Sequence, residues 1–67
     1  MNYSAKNLIT ILEKKGYFFK RANGSHQLYY NQKTGKTVIV PVHGRKDLAK
    51  GTFFTILKQA GIDKSEI

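Results

Sequence analysis

The stretch Tyr17-Phe18-Phe19-Lys20-Arg21-Ala22-Asn23-Gly24-Ser25-His26-Gln27-Leu28-Tyr29-Tyr30-Asn31 decides the fold, because two strand-forming runs flank a tight turn. Tyr17 to Arg21 is aromatic and extended, which places Tyr17, Phe19 and Arg21 on one face and Phe18 and Lys20 on the other. Asn23-Gly24 is a strong hairpin signal, since both residue types tolerate the positive φ that a tight turn demands. The next strand is expected from about His26 to Asn31, so the turn delivers a histidine to the start of a strand. Parity puts His26 with Leu28 and Tyr30. If Leu28 faces the core, His26 must sit at the sheet's edge or before regular pleating begins, and the second is expected. Beyond the polar turn Gln32-Lys33-Thr34-Gly35, the β-branched run Thr37-Val38-Ile39-Val40 makes a third strand, which Pro41 stops.

Helical periodicity flanks this meander. Ser4 can cap a helix over about Ala5 to Lys15, with Ala5, Leu8, Ile9 and Leu12 on one stripe, Ile11 widening it and Gly16 ending it. After the loop Val42-His43-Gly44-Arg45-Lys46-Asp47, Asp47 and Gly51-Thr52 mark the approach to a second helix. Its stripe is Phe53, Ile56, Leu57 and Ala60, and Gly61 closes it. Asp63-Lys64-Ser65-Glu66 has the form of a capping box opening a short final turn. A sheet with one apolar face must be covered, and the two helices are the covers available. The expected fold is therefore α+β, in the order α-β-β-β-α of a double-stranded-RNA-binding domain: a three-stranded antiparallel sheet with two helices packed on one face.

Residues 1–67 are expected to form a single domain, too small for a deep enclosed pocket. Twelve Lys and Arg against four Asp and Glu give a net charge of +8, which favours a polyanionic partner, nucleic acid first. With no cysteine the chain has neither a disulfide framework nor a zinc ribbon, and it reads as cytoplasmic. No apolar run approaches the roughly 20 residues of a membrane helix, and the first residues lack the apolar core of a signal peptide. Nucleotide-binding, α/β-hydrolase and zinc-protease motifs are absent, and the four acids Glu13, Asp47, Asp63 and Glu66 are too scattered for a two-metal site. No metal and no cofactor are expected.

One set of residues is more specific than any of these. Gly16-Tyr17, Arg21 three residues before Gly24, Gly24-Ser25-His26, Pro41-Val42-His43, Lys50-Gly51-Thr52 and Ile56-Leu57-Lys58-Gln59-Ala60-Gly61 together resemble the HicA toxins. These are small ribonucleases of type II toxin–antitoxin systems. The resemblance runs over nearly the whole chain; Ala22-Asn23 and Tyr17 are minor departures. It implies an mRNA interferase that inhibits translation and growth, with His26 in the place of the family's essential histidine. It also implies a HicB-type antitoxin, whose acidic surface would cover the basic face.

The chemistry of the residue types fits in part. A histidine imidazole titrates near neutral pH and can take the proton from a ribose 2′-hydroxyl as that oxygen attacks the adjacent phosphorus. Such a reaction needs no metal, spares DNA and leaves a 2′,3′-cyclic phosphate. Lys20, Arg21, Lys36 and Arg45 are candidates to stabilise the phosphoryl charge. Lys46 and Lys50 are further RNA contacts, with Lys50-Gly51-Thr52 at a helix N-terminus. His43 is either a second proton carrier or a polar loop cap or antitoxin contact, and the latter is preferred. Ser25 either orients His26 or bonds nearby backbone, and Gly24 sets the angle at which His26 emerges. Among the aromatics, Phe18 and Tyr29 are the candidates for the open face of the sheet. Two competing readings are a non-catalytic RNA-binding module of the same fold and, more weakly, a DNA-binding repressor.

Overall fold

A computed structural model describes residues 1–44 and 46–67. The chain runs α1 (Ala5–Lys14), β1 (Tyr17–Asn23), β2 (His26–Asn31), β3 (Thr37–Pro41), α2 (Lys50–Gln59) and a 3₁₀ turn (Lys64–Glu66). The strands form one antiparallel sheet in the order β1-β2-β3. Ala5, Leu8 and Leu12 of α1 and Phe53, Ile56 and Leu57 of α2 join Tyr17, Tyr29, Val38 and Val40 in one buried cluster, so both helices cover the same face. This is the expected α-β-β-β-α arrangement, and the opposite face of the sheet is left open.

The helix ends follow from local chemistry. Ser4 Oγ accepts the Asn7 N–H at 3.0 Å, which starts α1, and Gly16 at φ 96° turns the chain out of it. Asp47 lies in the approach to α2, as expected, without capping the helix. Ala49 precedes the helix without a side-chain cap bond, while Asp47 bridges Ser4 and the Leu48 N–H donates to the Tyr3 carbonyl at 2.8 Å. The approach to α2 is thus tied to the start of α1. At the C-terminus the capping box is present, with Asp63 Oδ1 accepting from the Ser65 N–H and Glu66 Oε2 from the Asp63 N–H. The hydrogen bond from the Ser65 backbone holds the Asp63 carboxyl below its ordinary pKa, and the hydrogen bond from Lys15 does the same for Glu66.

Three strand expectations change, each for a stated geometric reason. The hairpin loop is Gly24-Ser25, closed by the Asn23↔His26 pair; Gly24 takes φ 61° while Asn23 and Ser25 keep negative φ. Glycine at the first loop position is the type II′ pattern, so β1 extends through Asn23 instead of ending at Arg21. A β-bulge lies between Phe19 and Arg21, where the register passes from Phe19↔Tyr29 to Arg21↔Leu28. The extra residue moves Arg21 off the face of Tyr17 and onto that of Phe18. Finally, Tyr29 is buried at 4% exposure, and it is Leu28 that belongs to the open face. His26 therefore needs no irregular start: it pairs with Asn23 and Pro41 within a regular strand.

Asn31 is the buried polar residue of the described core, at 4% exposure. Its Nδ2 donates to the Lys15 carbonyl at 3.0 Å, and its Oδ1 accepts the N–H groups of Lys33 at 2.9 Å and Thr34 at 3.3 Å. One side chain thereby fastens the end of α1, the end of β2 and the following turn. Asn31→Ala leaves these groups without their partner, a loss of about 2–3 kcal/mol. In a chain of this length that lowers Tm by roughly 10–20 °C, measurable by a thermal melt. A shift of only two or three degrees would show that water replaces the clamp.

Candidate active site

Strand pairing lays the open face out in rows. The first row is Asn23, His26 and Pro41; the second is Arg21, Leu28 and Ile39; the third is Phe18, Tyr30 and Thr37. Side chains two apart on a strand share a face, so successive rows are about 6.8 Å apart. Lys20, the extra residue of the bulge, leans back over the third row, with Nζ 4.8 Å from the centre of the Tyr30 ring. Phe18 meets the same tyrosine edge-on at 5.8 Å and stays 46% exposed, as expected of it.

The spacing Pro41-Val42-His43 acquires a meaning here. Val38 and Val40 are buried and Val42 packs against the core, so parity carries Ile39, Pro41 and His43 toward the open side. The Val42 N–H donates to the Ser25 carbonyl at 2.7 Å, which latches the chain after β3 to the hairpin turn. As a result the His26 and His43 rings lie 6.5 Å apart, centre to centre, at 78°. Both side chains are exposed. Ser25 serves this arrangement through its backbone, and Gly24 through its positive φ.

Beside His26 the face sinks into a depression of about 500 Å³, open on one side and lined by Arg21, Ala22, Asn23, His26, Leu28 and Ile39. None of these is acidic. Of the cations expected at the site, Arg21 shares this depression with His26, while Lys20 borders it over the third row. Lys36 is elsewhere: its carbonyl accepts the Asn31 N–H at the far end of β2, about 17 Å along the strand from His26. Lys46 donates its backbone N–H to the His43 carbonyl but lines a groove against α1 with Lys6, Ile9 and Glu13. Lys50 stands exposed in the first turn of α2. Arg45 lies outside the described residues. Among the described residues no cluster of three or more His, Asp and Glu side chains could hold a metal ion.

Sequence reading passed over Asn23, Leu28 and Ile39 as site residues. The signal for Ile39 was available, because burying Val38 and Val40 forces it outward. For Leu28 it was available only once Tyr29 is assigned to the core.

Fold and site together define a small basic α+β domain of the double-stranded-RNA-binding type, with His26 on the open face of its sheet and His43 beside it. The family model described as the HicA toxin of bacterial toxin–antitoxin matches residues 5–62 of the 67-residue chain, and the chain belongs to that family. It is a toxin of a toxin–antitoxin system, and the family implies an antitoxin partner. No curated protein matches the chain. No helix among the described residues is long and apolar enough to cross a membrane.

Proposed function

We propose that the chain works as one domain, a metal-independent endoribonuclease that cuts mRNA in the cytoplasm and is blocked by a HicB-type antitoxin. The observation that carries the reading is the pair of imidazoles 6.5 Å apart on an open, cationic face. His26 takes the proton of the ribose 2′-hydroxyl. The O2′–P bond forms, the P–O5′ bond breaks, and protonated His43 gives its proton to the leaving 5′-oxygen. Each imidazole serves an oxygen on a different side of the phosphorus, as in-line displacement requires. The nearness of the rings favours this role for His43 over that of a loop cap. Arg21, in the same depression as His26, faces the charge that gathers on the phosphoryl oxygens. An antitoxin with an acidic surface would neutralise Lys20 and Arg21 and cover His26.

The test is cleavage of single-stranded RNA in the presence of EDTA. Expected products end in a 2′,3′-cyclic phosphate and a 5′-hydroxyl, and DNA of the same sequence stays intact. His43→Ala should slow cleavage by about 10²-fold with RNA affinity kept. A strict Mg²⁺ requirement would overturn the reading, and an unchanged cleavage rate in His43→Ala would return that residue to a structural role.

A further inference from the structure

We infer that the depression beside His26 is a subsite for one unpaired nucleobase of the RNA strand; the inference rests on the nuclease reading for which nucleotide that is, the one next to the cut phosphate. Its composition is what a nucleobase needs. Half-buried Leu28 and 51%-exposed Ile39 offer branched apolar surface to a flat aromatic face. Asn23, across the hairpin from His26, brings an amide with both donors and an acceptor to the base edge. Arg21 supplies a cation within the same wall, and no lining residue repels phosphate.

An apolar protein side chain fits less well, because it would strip water from the Asn23 amide and the Arg21 guanidinium without replacing their hydrogen bonds. Duplex RNA fits less well still, because its bases are stacked and paired and cannot enter a lateral depression. The next row along the strand direction, with exposed Phe18, continues the surface for a neighbouring base.

The probe is a mixed-sequence pool of 2′-O-methyl RNA decamers, which lack the nucleophile and cannot be cut, added to protein carrying ¹³C-methyl labels at Leu and Ile. The Leu28 and Ile39 methyl signals should move upfield under the ring current of the bound base. A decamer backbone without bases, of equal charge, should leave them in place. Ile39→Ala should weaken decamer binding about tenfold and alter base preference. Methyl signals that ignore the base-bearing pool, or follow the abasic backbone equally, overturn the inference. So does a response to the antitoxin with none to the base-bearing pool, which would make the face a protein-docking surface only. This readout needs no cleavage. Moved methyls without cutting would sink the nuclease and keep the subsite, and cutting with unmoved methyls would do the reverse.

Discussion

Replacing His26 with alanine is expected to slow RNA cleavage by about 10²–10⁴-fold, the range of a positioned general base, while the protein stays folded. The fold should survive because the side chain is exposed and stands on the face away from the helices. RNA affinity should persist too, since lysine and arginine contacts with phosphate are expected to supply most of it. The salt slope of binding should be unchanged in the variant. The separation of these quantities decides between the competing accounts. A non-catalytic RNA-binding module has no cleavage to lose, so wild type and His26→Ala would be indistinguishable in growth and in mRNA integrity. If instead the variant loses RNA binding along with cleavage, His26 is a contact residue and the proton chemistry must be assigned elsewhere.

The element order was readable because its signals are local. Ser4 before an apolar stripe, Gly16 and Gly61 after one, and three extended runs separated by glycine turns all act through near neighbours. What was not readable is which face the residues of β2, and those of β1 after the bulge, take, and for this chain that is much of the site. Tyr29 and Leu28 are adjacent and both apolar enough for a core, so pattern alone leaves the choice to packing. Packing selects Tyr29, whose hydroxyl donates to Gln27 Oε1 at 2.9 Å while the residue is buried. Burial raises its phenol pKa above the ordinary value. The bulge at Lys20 leaves no mark in a one-strand pattern either, because it exists only relative to β2. It is nevertheless what brings Arg21 to His26. His43 was identified as a candidate, but its nearness to His26 depends on the latch from Val42 to Ser25, a contact across seventeen residues of chain.

Phe53→Ala should remove most of the stability of the protein, about 3–5 kcal/mol. A chain of this length is held by only about 3–10 kcal/mol, and without cysteine it has no disulfide in reserve. Phe53 has no exposed surface and meets Tyr3 edge-on at 5.3 Å and Phe54 at 5.4 Å, so it joins α2 to the segment ahead of α1. The sheet that carries His26 has cover on one face only, and this side chain is the largest of those that complete it. Phe18→Ala is the internal comparison, because its ring is half-exposed on the open face and its loss should cost well under half as much. Denaturant titration measures both. In cells, Phe53→Ala and His26→Ala should each relieve growth inhibition, but for different reasons. The first protein should be degraded or aggregated, and the second should accumulate, soluble and still bound by antitoxin. A Phe53→Ala protein that melts cooperatively near the wild-type temperature would show that α2 is held mainly by Ile56 and Leu57, and the core would have to be re-centred on them.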